Sequence, residues 1–238
     1  PRPVHGVLVM FMAAGFAMLE SGLVRKKNTA AICLKNISLY GLAGIMFYLI
    51  GYNIMYPGDG GWTVQGFIGK IALLYDHSAA EAALLGADKK TPELIGAVVK
   101  NNYSVMSDWF FQMVFVATTA SIVSGTVAER IKIWPFLIFT AILTAIIYPI
   151  IGSWEWGGGW LNADWFKKAF GGEFMDFAGS TLVHSTGGWA ALAGAIMLGA
   201  RKGKYGADGR MHPMPGANLP LATLGTFILW FGWFGFNG

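Results

Sequence analysis

Charged residues are scarce in this sequence. Asp, Glu, Lys and Arg make up 13% of its 238 residues, against about 25% in a typical soluble domain. Together with a hydrophobic fraction of 55% and a mean hydropathy of +0.51, this shortage places the chain in the membrane class. The sequence also has no basic stretch interleaved with aromatic residues, so we expect no nucleic-acid partner.

Cysteine is almost absent. Cys33 is the single cysteine, which excludes a disulfide within the chain and a cysteine-based metal site. His184 has no second histidine or carboxylate at ligand spacing within its own apolar segment, so we expect no metal there. We expect no nucleotide or redox cofactor either.

Two terminal features are missing as well. The chain starts with Pro1 rather than Met and ends at Gly238 inside an apolar run without a capping residue, so we interpret it as an internal fragment. The first apolar run has neither a basic n-region nor a small-residue cleavage site after it, so it does not look like a signal peptide.

Long apolar runs dominate what is present. A helix needs roughly 20 apolar residues to span a membrane, and six segments meet or approach this length: 6–24, 31–56, 109–128, 134–152, 176–199 and 219–238. They predict an all-α, polytopic membrane protein with about six transmembrane helices. In the fifth segment, small residues recur every four positions and predict close helix packing; these are Gly187, Ala191, Ala195 and Gly199. In the 57–108 loop, "TPELIGAVVK" predicts a short helix, and the loop's charges indicate a solvated surface.

The connections between these segments alternate in charge. Basic residues concentrate in three short connections, at 25–27, 130–132 and 201–210. The longer loops 57–108 and 153–175 carry fewer basic residues, with an excess of acids. By the positive-inside rule, we expect the three short connections in the cytoplasm and the N-terminus outside, in the cell (plasma or inner) membrane.

One apolar segment contains two ionisable residues. In "DFAGSTLVHSTGGWAALAGAIMLG", Asp176 either caps free backbone N–H groups of the helix or belongs to a functional site. His184 is either a satisfied core histidine or a group that passes hydrogen bonds along a narrow path. Eight helical residues separate the two by roughly 12 Å along the axis and about 80° around it, so they cannot hydrogen-bond directly.

Aromatic residues form a second group of candidates. Phe111 and Phe115 are four residues apart and share a helix face. Trp156 precedes three glycines in "WEWGGGW", and Phe234 and Phe236 lie near the end of the chain. Aromatic faces attract partly dehydrated cations, although an aromatic belt at the membrane interface would also explain these residues.

Five stretches together resemble the Amt/Rh ammonium transporter family, and its Amt branch more than its Rh branch. They are "FMAAGFAMLESGLVRKKN" at 11–28, "TASIVSGTVAERIKI" at 119–133, "WGGGW" at 156–160, "DFAGSTLVHSTGGWAALAGA" at 176–195 and "FGWFGFNG" at 231–238. The resemblance implies the first six of eleven transmembrane helices, in a homotrimer with one pore per protomer. Residues 1–238 would form part of one transporter domain, with a first five-helix repeat at about 1–200 and the start of an inverted second repeat at 219–238.

The resemblance also implies roles for individual residues. Trp156 and Phe115 would line an external ammonium recruitment site, which Asp176 supports. Phe115 and Phe236 would form a stacked gate, with Phe111 beside it on the pore wall. His184 would be the first of a pair of pore histidines, and the second would lie beyond Gly238. The implied mechanism deprotonates ammonium and conducts ammonia, without enzymatic chemistry.

Other functions remain open at this stage. The same membrane domain could be fused to a signalling domain and act as an ammonium sensor, or it could be an Rh-type gas channel. An intramembrane hydrolase is disfavoured because Asp176 and His184 are too far apart and no Gly-x-Ser-x-Gly motif is present. Partners compatible with the resemblance are the lipid bilayer, ammonium and a PII-type regulatory protein on the cytoplasmic side.

Overall fold

The computed structural model describes residues 2–58, 61–74, 79–99 and 103–238. In these ranges six long helices form: α1 Arg2–Leu23, α2 Lys26–Met55, α5 Val105–Thr126, α6 Ile133–Ser153, α8 Ser180–Leu198 and α9 Leu219–Phe236. Three short helices lie in the longer connections: α3 Ala79–Gly86, α4 Pro92–Val99 and α7 Asp164–Phe170. Extended structure in the described ranges is limited to two isolated β-bridges, Val64–Ile68 and Tyr205–Met211.

The six long helices are each long and apolar enough to cross a membrane, which confirms the predicted all-α polytopic class. Helix α4 also confirms the short helix predicted within "TPELIGAVVK". Four starts differ from the prediction by four or five residues. Helices α1 and α2 begin earlier than predicted, at Arg2 rather than residue 6 and at Lys26 rather than residue 31. Helix α5 begins four residues early, because the Ser104 hydroxyl caps it by accepting the Ser107 N–H. Helix α8 begins at Ser180 rather than Asp176, because Asp176 caps the helix from outside.

Helices α1 and α9 pack against each other through glycine. A Cβ added to Gly22 would lie 2.5 Å from the backbone nitrogen of Ala222, and one added to Gly235 would lie 2.5 Å from the carbonyl oxygen of His5. The start of α1 is therefore beside the end of α9, and the two run antiparallel. Their backbones are in direct contact, as small residues permit in membrane helices.

Helix α5 is the most buried of the long helices and packs against α1, α2 and α8. Its buried hydroxyls on Thr118, Thr119 and Ser121 each donate to the carbonyl four residues earlier, so they need no partner in the apolar surroundings. Gly187 of α8 approaches it closely, since an added Cβ would lie 3.1 Å from the carbonyl oxygen of Thr119.

The predicted row of small residues in α8 is only partly a packing face. Gly187 and Ala191 are buried and Ala195 is half-buried. Gly199 is exposed and lies after the helix, where its φ of +66° helps to end α8. The row therefore ends at Ala195, and Gly199 serves as a terminator.

Three of the long helices contain a wide, π-helical turn. The turns Phe47–Gly51 in α2 and Leu143–Ile147 in α6 pack together, and an added Cβ at Gly51 would lie 2.9 Å from the carbonyl oxygen of Thr144. The third turn, Ser180–Ser185, forms the start of α8 and includes His184. Wide turns of this kind are frequent at functional sites.

The helices alternate between two ends of the bundle. At one end, which we call the Glu129 end, the connections after α1, α5 and α8 meet around Glu129. At the other, the Trp156 end, the starts of α1 and α5 lie near Trp156. This alternation agrees with the predicted grouping of the three basic connections on one side.

Candidate functional site

A cavity of about 950 Å³ opens at the Trp156 end between α1, α2, α5 and α9. Aromatic rings make up most of its wall: Tyr52, Tyr56, Tyr103, Phe111, Phe115, Trp156, Phe177 and Phe236. Four polar side chains also line it: Arg2, His5, Asp108 and Gln112. The cavity thus combines aromatic faces with a small number of charged and polar groups.

The predicted gate residues come together at the inner wall of this cavity. The ring centroids of Phe115 and Phe236 are 4.3 Å apart with 46° between the planes, so the rings touch but are tilted rather than stacked in parallel. Phe111 lies one turn from Phe115 at 4.8 Å. Phe115 and Phe236 are almost fully buried, at 3% and 4% exposure. Phe236 also contacts the ring of His184.

Trp156 meets this group edge-on. Its ring centroid is 6.2 Å from that of Phe115, with 83° between the planes. Its Nε1–H donates to the carbonyl oxygen of Asp176 at 2.7 Å, which fixes the orientation of the indole. The predicted recruitment pair, Trp156 and Phe115, is therefore assembled on one wall.

His184 lies beyond the phenylalanine pair. Its ring is 5.2 Å from Phe236 and stacks on Trp233 at 5.3 Å, beside a separate cavity of about 180 Å³. Its Nδ1 is 3.2 Å from the carbonyl oxygen of Gly179, and because a carbonyl only accepts, Nδ1 carries the proton in this arrangement. Nε2 of a neutral imidazole is then an acceptor, and it has no hydrogen-bond partner among the described residues.

The position of that carbonyl depends on Gly179. Its φ is +82°, in the left-handed region that favours glycine, and an added Cβ would lie 2.5 Å from Cγ2 of Val183. The same Cβ would lie 3.3 Å from Cη2 of Trp156. A larger residue here would disturb both the indole and the wide turn that contains His184.

Asp176 acts as a helix cap. Its Oδ1 accepts the N–H groups of Gly179 and Ser180 at 2.8 Å, and its Oδ2 accepts those of the next two residues at 2.7–2.8 Å. The residue is 5% exposed and is not part of the cavity wall. Its contact with the candidate site is indirect, through the hydrogen bond that orients Trp156.

Glu155 supports the same turn. Its Oε1 accepts the backbone N–H of Asp176 at 2.7 Å. Burial raises the pKa of Glu155, and the nearby Asp176 charge raises it further, while the hydrogen bond from the Asp176 N–H opposes both. Two carboxylates therefore stabilise the backbone behind Trp156.

The sequence interpretation missed two buried acids. The charges of the 57–108 loop were expected to be solvated, but Asp108 is 5% exposed in the first turn of α5. It pairs with Arg2 and accepts the hydroxyl of Tyr52 at 2.9 Å. Glu81 is also buried, and its Oε1 accepts the N–H of Val105 at 2.6 Å. The Ser104 cap could have revealed that Asp108 belongs to a helix.

Gln112 was also missed. It is 9% exposed, lines the cavity one turn from Asp108, and its Oε1 is buried without a hydrogen-bond partner in the described ranges. The spacing Asp108, Phe111, Gln112, Phe115 places all four on one helix face, which is the signal that could have identified it.

At the opposite end, Glu129 connects three loops. Its Oε1 accepts from the backbone N–H and Nε of Arg25 at 2.9 and 3.1 Å and from the amide of Asn28, and its Oε2 accepts from Arg201 at 3.0 Å. Burial alone would raise the pKa of Glu129, but these hydrogen bonds outweigh it and lower the pKa to about 2. Glu129 has an unusual φ of +63°, which these contacts hold in place.

These features define a multi-pass helical membrane protein with an aromatic-walled cavity and a histidine behind it. A sequence model of the Ammonium Transporter Family matches residues 4–238. The chain belongs to that family.

Individual relatives agree with this assignment. Ammonium transporter Amt2 of Archaeoglobus fulgidus is 45% identical over 236 residues, covering 98% of this chain and 45% of the relative. Ammonium transporter Amt1 of Haloferax mediterranei is 37% identical, covering 98% and 41%. The chain thus spans about half the length of the curated relatives it matches.

Solved structures show the same fold. One titled "Sensor Amt Protein" aligns with a TM-score of 0.76 and 39% identity, over 99% of this chain and 52% of that one. The structure of Candida albicans Mep2 aligns with a TM-score of 0.72 and 28% identity, over 99% and 46%.

Proposed function

We propose that the protein transports ammonium or ammonia across a membrane and that this chain supplies one wall of the path. The observation that carries the proposal is a continuous series from the cavity inward: Trp156, then Phe115 and Phe236, then His184. Membership of the ammonium transporter family supports the substrate. The same membership supports a non-enzymatic role.

At the cavity, the aromatic wall would offset the cost of dehydrating the cation. A desolvated cation over an aromatic face gains up to about 2 kcal/mol or more. Trp156 and Phe115 lie at right angles, 6.2 Å apart, so two ring systems face the same small volume. Asp176 contributes by holding the indole, and its charge, already satisfied by four N–H groups, adds to a favourable potential for cations.

The phenylalanine pair would act as the gate. Phe115 and Phe236 are in contact, so a molecule passes only when the rings rotate. Such an apolar constriction opposes any hydrated ion, because a bare charge in an apolar path is expensive. Ammonium can give up its proton and cross as neutral ammonia, whereas potassium cannot, which accounts for selectivity without a size-matched cage.

His184 would receive ammonia beyond the gate. With Nδ1–H directed at Gly179, Nε2 can accept a hydrogen bond from ammonia. A proton released on the cavity side can cross separately if His184 exchanges it with a second imidazole, and ammonium re-forms on the far side. The family resemblance assigns that second histidine to sequence beyond Gly238.

Several features of the complete protein belong to the same proposal. The Glu129 end, with its basic connections, would face the cytoplasm and the N-terminus the outside of the cell membrane. Residues 1–200 would form the first repeat and 219–238 the start of an inverted second one, in a homotrimer. A PII-type regulator would bind on the cytoplasmic side.

A sensor is the second candidate. The solved structure titled "Sensor Amt Protein" supports it, at 39% identity over 99% of this chain. In a sensor, the same aromatic cavity would bind ammonium, and a signalling domain would respond. An Rh-type gas channel has no comparable support among the structures cited above.

The test is current across reconstituted membranes that contain the full-length protein. We expect current under an ammonium gradient and none under a potassium gradient, and we expect none from residues 1–238 alone. His184→Ala removes the imidazole and lets water enter, so ammonium current should fail or potassium should begin to pass. Normal ammonium current with potassium still excluded would show that His184 is not the selective element. Binding of ammonium without any wild-type current would favour the sensor.

A further inference from the structure

A buried ionic cluster lies between α1, α2 and α5, away from the aromatic cavity. Oε2 of Glu20 accepts the Ser124 hydroxyl at 2.8 Å and lies 3.3 Å from Nζ of Lys35. Nζ of Lys35 also donates to the carbonyl oxygen of Ser124 at 2.6 Å. The charged side chains are 4% and 6% exposed. Burying such a pair costs desolvation energy that packing alone does not require.

Glu20 borders a second cavity, of about 820 Å³, at the Glu129 end. It is the single acid among the described lining residues, whereas Arg130, Arg201 and Lys204 are the basic ones. These basic side chains make most of the cavity unfavourable for a cation. Among the described lining residues, the Glu20 carboxylate is the group that would attract one.

One oxygen of Glu20 is not used within the cluster. Oε1 is buried and has no hydrogen-bond partner within normal distance among the described residues, although the side-chain amide of Asn36, which donates to the Ile32 carbonyl, lies close to the Glu20 carboxyl. A buried carboxylate oxygen without a donor is costly and normally indicates a missing partner. Next to it, Gly125 has no side chain to fill the space, and an added Cβ would lie 3.7 Å from Cγ of Glu20.

The cluster already binds an ammonium group, namely that of Lys35. The Lys35 side chain shows which groups satisfy a primary ammonium here: Oε2 of Glu20 and the Ser124 carbonyl. Oε1 offers a second site of the same chemistry to a small protonated amine. Because Lys35 neutralises most of the carboxylate charge, a second cation would be held weakly, as release from a transport path requires.

The position along the path is also suitable. Ser124 follows Phe115 by nine residues on α5, which is about 13–14 Å along the helix axis. Phe16 lies one turn before Glu20 on α1 and borders the same cavity. The cluster is therefore on the far side of the gate from Trp156.

We propose that Glu20 forms a second ammonium-binding site, on the Glu129 side of the gate, where the cation is held before release. This inference rests on the proposed transport function and goes beyond its outer site, gate and histidine. Its alternative is a purely structural role, in which the ion pair only joins three helices.

The test uses the full-length protein in vesicles of each orientation, with ammonium chloride added from one side at a time. In Glu20→Leu/Lys35→Met, an apolar pair replaces the ionic one, an exchange that is often tolerated. We expect the half-saturating ammonium concentration from the Glu129 side to rise about tenfold, the loss of one hydrogen bond to a charged group. The value from the Trp156 side should not change.

Lys35→Met provides the opposite test. It leaves the Glu20 charge without its lysine, so ammonium from the Glu129 side should bind more tightly and the maximal current should fall. A purely structural role would instead change the half-saturating concentration in the same direction in Lys35→Met and in Glu20→Leu/Lys35→Met. If Lys35→Met does not fold, Glu20→Gln replaces it, because glutamine keeps the shape of the side chain and one acceptor for Ser124. We then expect a smaller rise in the half-saturating ammonium concentration from the Glu129 side.

Thr144→Val is the matched control, because Thr144 is fully buried in α6 and its hydroxyl bonds only to its own helix. It should leave both half-saturating concentrations unchanged. Half-saturating concentrations unchanged from wild type on both sides in every Glu20 variant, with normal wild-type current, would overturn this inference alone. Absence of wild-type ammonium current would instead overturn the proposed function.

Discussion

The carboxylates of Asp176 and Glu129 lie at opposite ends of the bundle, and different kinds of partner surround them. Asp176 accepts four backbone N–H groups from residues within six positions of it. Glu129 accepts from side chains and backbone that are 72 to 104 positions away. The Asp176 cap is thus built by local backbone geometry, whereas the Glu129 network is built by contacts between distant connections.

This difference implies different tolerance to change. A cap made from backbone groups needs only an acceptor of the right length, but it fails completely when that acceptor is lost. A network of separate side chains weakens by steps, because each cation can leave while the others remain. The predictions below test this contrast.

The largest effect is expected for Asp176→Ala. It leaves four N–H groups without their acceptor in a buried site, at about 1–3 kcal/mol for each unsatisfied group. We expect the free energy of unfolding in detergent to fall by about 4 kcal/mol or more, with loss of folded protein in size-exclusion chromatography. The exposed acid Asp88 is the control, and Asp88→Ala should have little effect. Normal stability of Asp176→Ala would show that water replaces the cap.

A smaller loss, with a distinct pH dependence, is expected at Glu129. The folded-state pKa of about 2 is below the ordinary value of 4.5, so the carboxylate stabilises the fold at neutral pH and loses this contribution as the pH falls from about 5 to 2. Because its arginine partners are 30–31% exposed and solvent screens them, we expect this contribution to be about 1–2 kcal/mol. Glu129→Gln should remove most of it at pH 7 and flatten the acid limb of the stability curve. An unchanged acid limb would contradict the assignment.

Trp156→Leu tests the Trp156 end by function rather than stability. Loss of a cation–π contact of about 1–2 kcal/mol should weaken the apparent ammonium affinity roughly five- to thirtyfold. The measurement is current against ammonium concentration in the full-length protein. Trp165→Leu is the control, because Trp165 is exposed and does not line the cavity. Equal concentration dependence in both variants would assign Trp156 to the aromatic belt.

The smallest structural change tests which end faces the cytoplasm. In a Cys33→Ser background, single cysteines at Lys202 and Asp88 replace exposed residues of the two ends. An impermeant thiol reagent added outside intact cells should label only the Asp88 position, as the positive-inside rule requires. Labelling at Lys202 from outside would reverse the proposed orientation.

Much of the fold could be predicted because it depends on local signals. Long apolar runs located the six helices, and the four-residue spacing of Phe111 and Phe115 predicted their contact, now seen at 4.8 Å. Both inferences needed only helix geometry and composition. Asp176 and His184 bond to other groups, as predicted, but the predicted reason was wrong, because Asp176 lies before the helix rather than eight helical residues from His184.

The remaining features depend on contacts that no local pattern encodes. Asp108 looked like a solvated loop residue, and contacts from two other helices, the ion pair with Arg2 of α1 and the hydroxyl of Tyr52 of α2, make its burial tolerable. Charged residues such as Glu20 and Lys35 are common near helix ends, so neither stood out in the sequence. Their pairing is visible only when α1 and α2 pack on Ser124. The predicted start of α8 was wrong because Asp176 lies before the helix and caps it from there, whereas the prediction made Asp176 the first residue of the segment.

Glycine-mediated contact between α1 and α9 brings their backbones together at Gly22 and Gly235, while the side chains of Leu229 and Met12 pack against Gly15 and Gly232 in the same contact. We expect the two helices to move as one rigid unit, because rocking one against the other would drive backbone into backbone at Gly22 and Gly235. We therefore expect the contact between α5 and α9 to open by rotation of the Phe115 and Phe236 rings about single bonds. Such an opening would depend on side-chain torsion and would need no large movement of these helices.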